Sequence, residues 1–109
     1  MMRIKSRDAW RELLETSKEQ PFLLLKFSMT CASSLSAMKE LRALDTELPK
    51  YVVIVQMERQ VSNAIEKDLG VRHESPQLLI LKDGRGLWQA THYKIKKSLL
   101  TEAIATYIS

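Results

Sequence analysis

Cysteine is the scarcest chemistry in this 109-residue chain: there is one, Cys31. A single cysteine cannot close an intramolecular disulfide. With only two histidines beside it, no stretch has the paired Cys or His spacing of a zinc site. Long apolar runs are missing too, and nothing approaches the length of a membrane span. The start of the chain, Met1-Met-Arg-Ile-Lys-Ser-Arg-Asp8, turns charged at once and shows no apolar leader, so the cytoplasm is the expected compartment. A lone thiol stays reduced and reactive there. Repeats, low-complexity segments and linkers are also absent. With 45% hydrophobic and 28% charged residues, the composition argues against disorder and fits one domain over residues 1–109 that can bury its own core.

The formal charge is +4, and it is unevenly placed. Between Val71 and Lys97 stand Arg72, Lys82, Arg85, Lys94, Lys96 and Lys97 against Glu74 and Asp83, an excess that accounts for the whole net charge. Such a field attracts anions. No nucleic-acid recognition motif or aromatic platform accompanies these lysines, so nucleic acid is not an expected partner. A solvated basic face is the plainer reading.

What is present reads as alternating strands and helices. Arg3-Ile-Lys5 is a short edge strand. Ser6 is the N-cap of a helix whose apolar face carries Trp10, Leu13 and Leu14 and which ends at Lys18-Glu-Gln-Pro21. Phe22 to Phe27 has the unbroken apolar character of a strand buried on both faces. A second helix carries Leu35, Met38, Leu41, Leu44 and Leu48 as core positions, with Pro49 as its stop. Tyr51-Val-Val-Ile-Val-Gln56 is a second central strand, parallel to the first because a helix joins them. Val61, Ala64, Ile65 and Leu69 mark a third helix closed by Gly70. Gln77 to Lys82 is the third central strand. Asp83-Gly84, extended by Gly86, makes a hairpin to an antiparallel strand from Leu87 to Thr91. Leu99, Leu100, Ala103, Ile104, Tyr107 and Ile108 form the stripe of a last helix. This is the element order of the thioredoxin fold, an α/β architecture with a central mixed sheet flanked by helices. In that fold a reactive cysteine follows the first central strand, where Cys31 stands, and a proline precedes the third, where Pro76 stands.

A thiol at a strand-to-helix junction meets the unpaired N–H groups of a helix start, which favour the thiolate. The residue three past it is Ser34. In a dithiol enzyme that position holds a second cysteine, which attacks the mixed disulfide from within. Ser34 cannot, so a mixed disulfide on Cys31 waits for an external thiol. Thr30, Ser33 and Ser34 are candidates to stabilise the thiolate; their hydroxyls also suit helix capping, and the two roles are not exclusive. His73 and His92 would be the bases of a cysteine hydrolase, but nothing in the sequence places either beside Cys31.

The segments Lys26-Phe-Ser-Met-Thr-Cys-Ala-Ser-Ser34 and His73-Glu-Ser-Pro-Gln77, with the Asp83-Gly84 hairpin, resemble the YtxJ family of monothiol bacilliredoxin-like proteins. The resemblance runs from the first helix to the C-terminus, and the His-Glu-Ser-Pro-Gln stretch is its most specific part. Where that family has Thr-Cys-Pro, this chain has Ala32 after the cysteine, which loosens the loop and leaves the thiol. The resemblance implies removal of bacillithiol from protein mixed disulfides, with Cys31 as nucleophile. It implies bacillithiol as co-substrate and no bound cofactor or metal. The partners it implies are bacillithiolated proteins and a low-molecular-weight thiol or thiol reductase. It also implies a cis peptide bond before Pro76, with the backbone of Ser75 free to pair with an extended substrate; a trans proline opening a strand is the plain alternative. His92 and Lys94, ahead of the last helix, are candidates to hold the carboxylates of bacillithiol. The competing reading is a non-catalytic thioredoxin-like adaptor in which Cys31 is inert or merely capped.

Overall fold

Strand β2 (Phe22–Phe27) lies at the centre of the molecule, and its sequence shows why. Phe-Leu-Leu-Leu offers apolar side chains to both sides, so the strand is stable only where helices cover both faces of the sheet. The computed structural model describes residues 1–108. Its elements are β1 (Met2–Arg3), α1 (Arg7–Thr16), β2, α2 (Ala32–Ala43), β3 (Lys50–Ile54), α3 (Arg59–Leu69), β4 (Gln77–Lys82), β5 (Arg85–Thr91), a 3-10 turn (His92–Lys94) and α4 (Lys97–Tyr107).

The strands form one sheet in the order β1-β3-β2-β4-β5. β3 runs parallel to β1 and β2, as a helical crossover requires, and β4 and β5 run antiparallel. Alternation along β2 builds two cores. Leu23 and Leu25 pack with Leu78 and Ile80 under Ala37 and Leu41 of α2 and Leu100 and Ala103 of α4. Phe22 and Leu24 pack with Leu79 and Leu81 over Trp10 of α1 and Val61 and Ile65 of α3. This mixed sheet with helices on both faces is the expected α/β architecture. Among the described residues no helix is long and apolar enough to cross a membrane.

Several boundaries differ from the sequence reading, each for a local reason. β1 sits at Met2–Arg3 rather than Arg3–Lys5, because Ile4 leaves the strand to bury its side chain while its N–H bonds Val52 O at 3.0 Å. α2 ends at Ala43, well before Pro49. Leu44 turns extended, and its carbonyl is taken by the Lys50 ammonium at 2.6 Å. Leu48 still reaches the core, but from the following loop. β3 stops at Ile54, two residues before Gln56. The hairpin is tighter than expected. Asp83 and Gly84 both adopt positive φ, 54° and 70°, so two residues suffice and Arg85 already pairs with Lys82. Gly86 belongs to β5, where the register shifts around Leu87. Not every apolar residue at helical spacing is core: Leu35 is 66% exposed, and Leu99 and Tyr107 are 41% exposed each.

Candidate active site

Cys31 is the N-cap residue of α2, with extended backbone and a half-buried side chain. Its place follows from the sequence on either side. Phe27 ends the buried strand, four polar-rich residues turn the chain, and the apolar pattern resumes inside α2. As an N-cap the cysteine makes no capping hydrogen bond through its side chain. The carbonyl of Cys31 accepts from Ser34 N at 3.0 Å, closing the first turn.

The three hydroxyls beside the thiol have three different tasks. Ser33 Oγ lies 2.9 Å from Cys31 Sγ. Its hydrogen bond is the main reason the thiol titrates below its ordinary range; partial burial opposes this, and the first backbone N–H groups and hydroxyl of the Ser33–Ser34 turn assist. Ser34 is fully buried, and its Oγ accepts from Ser28 N at 3.0 Å, so its chief contact fastens the loop. Thr30 turns away from the sulfur. Its hydroxyl meets Ser28 Oγ at 3.2 Å and Gln56 Nε2 at 3.4 Å, which corrects the expectation of a thiolate contact.

Two residues the sequence reading passed over complete this loop. Gln56 donates to Ser28 Oγ at 2.8 Å and accepts from Met29 N at 3.1 Å. Ser28 thus joins Gln56, Thr30 and Ser34 in one cluster. Gln56 had looked like the last residue of a strand; only the early end of β3 frees its amide for the loop.

The second half of the site is the segment from Val71 to Pro76. The Ser75–Pro76 peptide bond is cis. Gln77 pairs with Lys26 across the antiparallel ladder, so Pro76 sits at the end of β4 beside the end of β2 from which the Cys31 loop departs. The register therefore brings Cys31, Ser75 and Pro76 to one end of the central strands. Pro76 O accepts from His92 N at 3.0 Å, which fixes the 3-10 turn to the same end. The side-chain oxygens of Ser75 and Gln77 are both buried without a hydrogen-bond partner.

The basic segment is less open to an anion than its charge suggests. His92 Nδ1 lies 3.6 Å from a Glu74 carboxylate oxygen. The first N–H of α4, from Lys97, is already held by Glu40 Oε1 at 2.8 Å. Lys94 is exposed on the 3-10 turn next to His92. Neither histidine hydrogen-bonds Cys31: His73 Nδ1 faces Lys26 and Ser62, and His92 faces Glu74. The arrangement supplies a nucleophile and stabilises its charge, without the neighbouring base of a hydrolase.

Comparison with known proteins agrees with this geometry. The model of the family described as monothiol bacilliredoxin BrxC matches residues 2–100. The chain belongs to that family. It is a thioredoxin-fold member of a thiol redox family. A solved structure assigned as an oxidoreductase with a thioredoxin fold superposes with a TM-score of 0.85 and 32% identity, covering 94% of this chain and 91% of the other. Thioredoxins from Fasciola hepatica and Malassezia sympodialis share the fold at 16% and 18% identity, with TM-scores of 0.78 and 0.77; this chain is covered over 98% and 100%, and theirs over 99% and 91%. Their likeness carries the fold only.

Proposed function

We propose that the protein is a monothiol thiol–disulfide oxidoreductase that removes bacillithiol from protein mixed disulfides through Cys31. The observation that carries this reading is the Cys31 sulfur at 2.9 Å from the Ser33 hydroxyl, with Ser34 where a resolving cysteine would be. The cycle has two exchanges. The Cys31 thiolate attacks the bacillithiol sulfur of the modified protein. The old S–S bond breaks, the substrate leaves as a thiolate that takes a proton from water, and Cys31 carries bacillithiol in a new disulfide. A second thiolate, from bacillithiol or a thiol reductase, then attacks the bacillithiol sulfur. Cys31 leaves as a thiolate, and the oxidised product is the external disulfide.

The lowered pKa of Cys31 serves the second exchange more than the first. A more acidic thiol is more often ionised but less nucleophilic, and these effects largely offset each other in attack; a more acidic thiol is the better leaving group. Met29 and Leu35 flank Cys31 with 54% and 66% of their surface exposed, apolar area that a protein substrate can cover. An extended substrate segment would pair with the backbone of Ser75. Lys94, exposed beside His92, would meet the carboxylates of bacillithiol.

Mixing the protein with a bacillithiolated substrate and weighing both products tests the reading. Wild type should gain one bacillithiol on Cys31 as the substrate loses it, and Cys31→Ser should gain none. An adduct that stays on the substrate in both would leave the adaptor reading in its place. Lys94→Glu with Lys96→Glu should weaken the apparent affinity for the bacillithiolated substrate several-fold; an unchanged KM would remove Lys94 from the binding site.

A further inference from the structure

The fifth residue of β2 breaks its apolar run with a lysine, and that lysine is fully buried. A buried ammonium is costly unless it is hydrogen-bonded, so its partners have a purpose to explain. Alternation sends Lys26 to the α3 side of the sheet. There its Nζ donates to Ser62 O and to His73 Nδ1, each at 3.1 Å. His73 keeps much of its surface in water, but the Nδ1 edge is turned inward. Ser62 Oγ approaches the same nitrogen at 3.3 Å.

The segment from Val71 to Pro76 has no regular structure, and side chains hold it at successive points. Gln77 Nε2 binds Arg72 O at 3.0 Å. Glu66 accepts from His73 N. Lys26 holds the His73 ring, and His92 N holds Pro76 O. Lys26 is the only one of these anchors that reaches the segment from β2, the strand that leads to Cys31. It therefore ties the two halves of the site to one frame.

We infer that Lys26 is a positioning residue for the exchange at Cys31: through His73 Nδ1 it fixes the segment whose Ser75 backbone meets the substrate. This inference rests on the proposed reading that a polypeptide substrate pairs there. The contact has a chemical condition. An ammonium can donate only to an unprotonated Nδ1, so His73 must be neutral with its proton on Nε2. A protonated ring would set two cations 3.1 Å apart and release the segment. Burial and the Lys26 charge both hold the ring's pKa below its ordinary 6.5, which keeps the contact made at neutral pH. The charged groups facing the ring are Lys26 from β2, Glu66 and Arg59 from α3, and Glu74 from its own segment.

Two substrates separate positioning from chemistry. Hydroxyethyl disulfide is too small to use the Ser75 backbone, whereas an extended peptide bearing a cysteine–cysteamine mixed disulfide needs it. Titration of Cys31 affects both and cancels in the ratio of their rates. In Lys26→Met the peptide rate should fall about tenfold, and the small-disulfide rate should change no more than about twofold. Burial also lowers the pKa of Lys26, to about 8, so in wild type the ratio should stay level between pH 6.5 and the range near pH 8 where Lys26 itself loses its proton, and fall below pH 6.5. In His73→Asn, whose amide oxygen replaces Nδ1 as acceptor but takes no proton, the peptide rate should be retained and the ratio should stay level throughout. Equal losses on both substrates in Lys26→Met, or no loss on either, would overturn the inference while leaving the exchange at Cys31 intact. Wild type inactive on both substrates would overturn this inference, and the bacillithiolated substrate described above decides the proposed reading separately.

Discussion

The two loops at the end of the central strands are held in different ways. The Cys31 loop is fastened by hydroxyls and an amide: Ser28, Thr30, Ser34 and Gln56. The Ser75 loop has neutral anchors in Gln77 and His92 and adds charged ones, Lys26 against His73 and Glu66 against the His73 backbone. Neutral hydrogen bonds keep their strength across ordinary pH. Charged ones depend on which partner carries the proton. The difference suits the chemistry. A loop presenting a thiolate gains from donors that add no net charge of their own, whereas the loop beside it can be locked from beneath by an ion without disturbing the sulfur.

That contrast can be pressed from both sides. The largest effect should come from Ser34→Ala. It removes the buried acceptor of Ser28 N and leaves that N–H unpaired, so stability should fall by about 1–3 kcal/mol at any pH. Urea unfolding at neutral and mildly acidic pH measures it, and a loss confined to one pH would blur the distinction between the loops. A smaller effect should come from acid alone. His73 titrates below its ordinary pKa in the folded chain. Above pH 6.5 the ring is neutral folded or unfolded, and it contributes no pH dependence. As pH falls below 6.5 the unfolded chain takes the proton first, so stability declines until the folded ring also titrates. His73→Asn should lack that component of the decline; an identical acid profile would show that His73 is not the linked group. The smallest effect on stability should come from Ser33→Ala, about 0.5 kcal/mol, the low end for one neutral hydrogen bond, because this buried hydroxyl bonds only the half-buried thiol. The same variant should move the thiolate titration of Cys31, followed by ultraviolet absorbance, back up toward the ordinary thiol range. An unmoved titration would assign the lowered pKa to the helix start instead.

The sequence made the frame legible because its strongest signals are local. Phe22 to Leu25 and Leu78 to Leu81 can be little else than strands covered on both sides, and Ser6, Gly70 and Asp83-Gly84 punctuate the chain where caps and turns must fall. Cys31 and Pro76 could be placed because each adjoins one of those strands. The restraints around them were not legible. Lys26 looks like the polar end of a strand; nothing nearby in sequence announces partners at positions 62 and 73. Gln56 reads as more strand until the chain is seen to leave the sheet at Ile54. Leu35 shares the helical spacing of Leu41, but it lies on the face of α2 that the core does not reach. Each miss concerns a side chain whose meaning is set by residues far away in the chain.

If Cys31 works without a resolving thiol, its mixed disulfide can be trapped. Wild type is given one equivalent of bacillithiolated substrate with no other thiol present, and the masses are followed over time. The Cys31–bacillithiol disulfide should form, persist, and collapse to free Cys31 only when an external thiol is added. An adduct that never forms on Cys31, or one that resolves with no thiol supplied, would contradict that mechanism.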